Sequence, residues 1–158
     1  LVDARYNHGL PANLSGASGS RRPINHGLKA LQISASAWTA EALKQTLPAS
    51  VFSRSTECHN QDKVSMGTIA ARDASRVIEL TEQVTAILLL AVAQAIDLRV
   101  REGRECRPRS LALRDAVRSA ASFSDADRRM DHDIVRVLEL IRGDRLTAWL
   151  DVEEVDFP

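Results

Sequence analysis

At 158 residues, 44% of them hydrophobic and 27% charged, the chain is long enough for one domain with its own core and too apolar to be disordered. Twenty-one Lys and Arg balance twenty-one Asp and Glu, so no net field draws nucleic acid or an anionic membrane surface, which leaves small-molecule or protein partners. Cys58 and Cys106 lack the spacing of a zinc or redox pair and read as free thiols of a cytoplasmic protein, a disulfide between them being the alternative.

The first residues, LVDARYNHGLP, show no basic stretch leading into an apolar one and hence no secretory signal, and the missing initiator Met reads as a cut end. Residues 1–24 are rich in Gly, Pro, Ser and Asn and are expected to be loop. From 25 to 47, Leu28, Leu31, Ala35, Trp38 and Ala42 recur at helical spacing until Pro48 forbids continuation. A loop over 48–63 follows. The period of 3.6 then holds through Met66, Ile69, Ala70, Val77, Leu80, Val84, Ile87, Leu88 and Ala91, predicting a core helix over 64–103. Globular helices average about 11 or 12 residues. The apolar stretch from Ile87 to Ala93 is expected to be buried all round, against other subunits or missing sequence. A membrane span needs about 20 apolar residues, and this run is interrupted by Gln94.

Gly103 and Pro108 end that helix, and further helices are expected across 110–150. The first carries Leu111, Leu113, Val117 and Ala120. Ser124 reads as the cap of the next, with Asp125 and Asp127 in its first turn and Ile134, Val137, Leu138 and Ile141 on its apolar face. Gly143 stops it, and a short last turn carries Leu146, Trp149 and Leu150 ahead of a frayed DVEEVDFP. No alternating strand pattern occurs, so the fold class is all-α. The Asp131-His132-Asp133 string reads as a solvated helix start and not a metal site, because adjacent helical residues point apart. The arginines between Arg99 and Arg109, interleaved with Glu102 and Glu105, read as a solvated helix end.

Polar groups crowd into STECHNQDKVSMG, residues 55–67, where Glu57, His59, Asn60, Gln61, Asp62 and Lys63 precede the long helix. Locally this reads as a capped helix start, with Ser65 or Asp62 as the cap, or as a carboxylate and two amides placed to hold a charged, hydrogen-bonding substrate. The string HNQDKVSMGTIAARDA, with NHGLP upstream and LLLAVAQAIDLR downstream, resembles the C-terminal part of the aromatic amino acid ammonia-lyases and 2,3-aminomutases. The resemblance runs from Leu1 to about Trp149. It implies a long-helix bundle segment of a homotetramer whose active sites draw on several subunits, and an aromatic amino acid as substrate. It also implies that Glu57 lies near the substrate amine, that Asn60 lies near the amine and the electrophile, and that Gln61 lines the side-chain pocket.

In that family the electrophile is 4-methylidene-imidazole-5-one, made when an Ala-Ser-Gly tripeptide cyclises and loses water. The string LSGASGS contains Ala17, Ser18 and Gly19, but Arg21 and Arg22 follow where the family's cyclising loop continues Asp-Leu-x-Pro. The tripeptide is therefore expected to be a surface turn, with the cofactor formed outside this segment. Tyr6 stands in the wrong context to replace the family's catalytic tyrosine. The expectation is part of a lyase or aminomutase acting on phenylalanine or tyrosine, since histidine-specific relatives place Glu where Gln61 stands, with the segment inactive by itself. The alternatives are a histidine ammonia-lyase fragment and a non-catalytic helical assembly module.

Overall fold

A computed structural model describes residues 1–143, 145 and 146. They form four α-helices, α1 (Lys29–Lys44), α2 (Gly67–Arg101), α3 (Pro108–Arg118) and α4 (Asp131–Arg142), joined by loops that contain short 3-10 turns. No strand occurs among the described residues. The turn carrying Trp149 and Leu150, and the tail after it, lie outside them.

α2 is the axis, and the other three helices pack on it. Leu80 is its first buried residue, and from Ala86 onward Ile87, Leu90, Ala91, Ala93, Ala95 and Leu98 join a core with Leu28 just before α1, Leu31 of α1, Val117 of α3 and Ile134 and Val137 of α4. Sequence period explains each contact: Leu28, Leu31, Ala35 and Trp38 fall on one stripe, as do Ile134, Val137, Leu138 and Ile141. α2 ends in a Schellman motif, in which Gly103 takes φ +76, its amide donates to Val100 O at 3.0 Å, and Arg104 N donates to Arg99 O at 3.0 Å. Pro108 then opens α3, where its missing amide costs no helix hydrogen bond.

Within this chain Leu88 is 54% exposed while Ile87 and Leu90 are buried, which leaves one side of the Ile87–Ala93 stretch to the other subunits or missing sequence expected to cover it; Ile69 and Ala70 also face outward. Three expectations are corrected. Ser124 does not cap a helix: it is buried, and α4 starts at Asp131 after Met130. The α4 start is not wholly solvated, since Asp133 is 1% exposed and pairs with Arg128 and Arg136. The helix predicted over 25–47 spans only Lys29–Lys44 because Asn25, His26 and Gly27 are engaged elsewhere.

One buried amide ties the irregular N-terminal segment to this bundle. Gln94 Nε2 donates to Leu14 O at 3.2 Å and to Ser124 O at 2.9 Å, while its Oε1 accepts from Ser124 N and Arg118 Nη2, both at 3.1 Å. Arg118 also donates to Asp97 at 2.6 Å, and Arg114 joins it there at 3.1 Å. By length and composition α2 is long and apolar enough to cross a bilayer. Here three helices pack on it and ion pairs link it to them, Arg76 with Glu41, Arg142 with Glu82 and Arg118 with Asp97, a pattern found in helix bundles.

The LSGASGS string is a surface turn in its second half only. Leu14, Ser15 and Ala17 are buried, whereas Ser18 and Gly19 are exposed. Gly16 lies so close to Phe123 and Ser124 that a Cβ there would stand 2.3 Å from Ser124 O.

Candidate functional site

The loop between α1 and α2 starts where Pro48 leaves the helical path and a 3-10 turn, Ala49–Phe52, tucks Ala49 into the protein. Two hydroxyl side chains then close the loop from within. Ser53 Oγ donates to Val64 O at 2.8 Å and accepts from Val64 N at 2.9 Å, joining the two ends of the loop with one group. Further in, Thr56 N donates to Gln61 O at 3.0 Å and Thr56 Oγ1 accepts from Gln61 N at 2.8 Å. Thr56 O also accepts from His59 N at 3.1 Å. Ser and Thr readily satisfy nearby backbone in this way, which is why they favour turns.

Inside these closures is the 3-10 turn Glu57–His59, in which Cys58 and His59 take φ values of 50 and 56. Left-handed backbone costs a non-glycine residue about 1 kcal/mol or more, so the turn persists because its surroundings hold it. Asn60 N donates to Glu57 O at 3.0 Å, and His59 Nδ1 lies 3.1 Å from Ser55 Oγ. The chain then enters α2 at Gly67, whose amide donates to Ser65 Oγ at 3.3 Å, so Ser65 serves the helix start and Asp62 does not.

Glu57, Asn60 and Gln61 therefore share one compact turn at the head of the longest helix, and all three are exposed. None of their side chains is held by a hydrogen bond to another described residue. The loop is an open surface, and no described residue faces these three side chains across a cavity. The largely apolar cavity of about 270 Å³ lies elsewhere, between α1 and α2, lined by Val2, Leu31, Val84, Ile87 and Ala91 among others. Ser53 and Thr56, which shape the loop, were missed by sequence reading; their signal was a pair of hydroxyl residues flanking a polar cluster.

The other polar groups of note, those singled out in the sequence and His26 besides, lie apart from this loop. Tyr6 is 73% exposed, with the Arg5 guanidinium 5.4 Å over its ring. His26 lies against Asp127, whose carboxylate accepts from the His26 and Gly27 amides at 2.8 and 2.9 Å. No cluster of three His, Cys, Asp or Glu side chains able to hold a metal exists among the described residues, and both cysteines are free. Ala17-Ser18-Gly19 does not fit as the source of a cyclised cofactor. Ser18 is extended at φ −126 and ψ 162, which turns the Gly19 amide away from the Ala17 carbonyl it would have to attack.

A family profile described as aromatic amino acid lyase matches residues 1–119. The chain belongs to the aromatic amino acid lyase family. Among its curated relatives, a tyrosine ammonia-lyase of Cereibacter sphaeroides is 39% identical over 136 residues, covering 85% of this chain and 25% of the relative. A histidine ammonia-lyase of Gloeobacter violaceus is 36% identical over 148 residues, covering 92% and 27%. Among solved structures, tyrosine aminomutase from Streptomyces globisporus superposes with a TM-score of 0.81 at 30% identity, covering 96% of this chain and 29% of that one. Histidine ammonia-lyase from Trypanosoma cruzi gives 0.77 at 31% identity, covering 94% and 30%. This lyase-family chain thus spans a quarter to three tenths of the length of these relatives, and its all-helical bundle is theirs.

Proposed function

We propose that these residues form part of an enzyme that eliminates ammonia from phenylalanine or tyrosine, or returns it to the β-carbon as an aminomutase does. The observation that carries this reading is Gln61, a neutral amide on the same turn as Glu57 and Asn60. A phenyl ring offers no donor to a carboxylate in a dry pocket, whereas an amide leaves no charge to desolvate there and can still meet a phenol hydroxyl. Glu57 then binds or exchanges protons with the substrate amine, a role that needs it within about 3 Å of that nitrogen, and Asn60 assists at the amine.

In this reading the electrophile, 4-methylidene-imidazole-5-one, is formed outside the segment, since Ala17-Ser18-Gly19 has the wrong backbone for it. The open face of the site loop is completed by other parts of a homotetramer in the cytoplasm, and residues 1–158 alone are inactive. Histidine is the second reading, because histidine ammonia-lyases stand among the relatives.

Substitution in the complete enzyme separates the two. Gln61→Glu lowers kcat/KM for phenylalanine by at least about tenfold, equivalent to roughly 1.4 kcal/mol of transition-state stabilisation, and harms histidine less or helps it. Glu57→Gln depresses all substrates alike, because the amine is common to them. Equal losses for phenylalanine and histidine in Gln61→Glu would end the assignment.

A further inference from the structure

We infer that Thr56 is a positioning residue for recognition of the substrate ring, acting through Gln61; the inference rests on the role given to Gln61 above. Thr56 spends all three of its polar groups on the turn. Its amide and hydroxyl hold Gln61 O and Gln61 N, at 3.0 and 2.8 Å, and its carbonyl holds His59 N at 3.1 Å. Gln61 is thereby gripped on both sides of its Cα, which sets the direction of its Cα–Cβ bond.

No hydrogen bond to another described residue orients the Gln61 side chain, so backbone direction is what aims it. The same grip includes Glu57, the next residue after Thr56, and encloses Cys58 and His59 in left-handed backbone that an open loop would abandon. Ser53 has a different task. Its hydroxyl ties Val64 at the base of the loop and leaves the turn itself to Thr56. Thr56 thus sits next to the group assigned to the amine, Glu57, and holds the group assigned to the ring, Gln61; loss of its hydroxyl releases Gln61 N, while the backbone bonds to Gln61 O and from His59 N remain.

The test uses the complete enzyme and three substitutions. Thr56→Val keeps the shape and removes the hydroxyl; Thr56→Ser keeps the hydroxyl; Gln61→Ala removes the amide that Thr56 aims. Two readouts are taken: amide hydrogen exchange at Gln61, and the ratio of kcat/KM for phenylalanine to that for histidine. Thr56→Val is expected to speed exchange at Gln61 by about tenfold and to lower the substrate ratio by several-fold, with Thr56→Ser close to the parent in both. In a Gln61→Ala background Thr56→Val is expected to leave the ratio unchanged, which a merely structural hydroxyl would not do.

Wild-type exchange in Thr56→Val overturns the inference, as does faster exchange with an unchanged substrate ratio while Gln61→Ala does change it. If Gln61→Ala itself leaves the ratio untouched, the ring assignment of Gln61 fails, and the inference fails with it.

Discussion

Gly16 occupies a position that tolerates no side chain. A Cβ would stand 2.3 Å from Ser124 O and 2.5 Å from the Phe123 ring, so Gly16→Ala must push the 123–124 segment outward. Overpacking of this kind costs about 1–3 kcal/mol, and urea unfolding is expected to show it. Ser18→Ala, two residues on and exposed, is expected to stay within about 0.5 kcal/mol of the parent. Gln94 is a sharper case. Replacing it with Ala leaves Leu14 O, Ser124 O and Ser124 N without their buried partner, a loss of about 2–4 kcal/mol in the same experiment. Composition revealed that LSGASGS turns, because Gly and Ser mark turns locally. That half of it is wedged against residues 123 and 124 depends on partners far along the chain, and that Gln94 is the peg and not merely a break in an apolar run depends on residues 30 and 80 positions from it, which no local pattern encodes.

The helices were legible from their periods, whereas the start of α4 was not. Ser124 and Asp127 carry the local signature of a helix cap, yet both are claimed by tertiary partners, Ser124 by Gln94 and Asp127 by the turn ahead of α1. Asp127 places a negative charge at the positive end of α1, and the His26 amide donating to it holds its carboxyl below the usual carboxylate range. A folded-state pKa depressed in this way contributes stability above the unfolded value, about 3.9, that is lost as pH falls through the folded value. Asp127→Asn is therefore expected to be less stable than the parent at neutral pH, and the gap is expected to narrow as pH falls below the ordinary carboxylate value of about 3.9 in denaturant titrations. A gap independent of pH would show that the carboxylate charge contributes nothing there. The candidate turn followed the same rule as α4: its chemistry was visible in Glu57, Asn60 and Gln61, while the hydroxyl closures that shape it became visible only in three dimensions.

For the molecule as a whole, the sequence implied a helix too apolar for its own domain, and the structure shows where the excess lies. Leu88 is 54% exposed, and Ile33, Ile78 and Val135 are exposed by 62%, 60% and 53%. Covering one such Leu is worth about 1.5–3 kcal/mol, so isolated 1–158 is expected to self-associate at micromolar concentration. A sharp monomer in light scattering would contradict this. The distribution of burial along α2 has a further effect. Between Gly67 and Leu80 no residue is fully buried within the chain, only Asp73, Arg76 and Val77 are half-buried, and the Arg76–Glu41 pair at 2.7 Å braces that end of α2 against α1. At 1.5 Å per residue this stretch is about 20 Å long, and a tilt of about 3° at Leu80 displaces its tip by about 1 Å. A misplacement of that size can cost a catalytic geometry about a hundredfold in rate. On the proposed reading of the turn at its head, the helix is a lever: small repacking around Leu80 is amplified at Glu57, Asn60 and Gln61, so substitutions far from any substrate detune that turn without touching it.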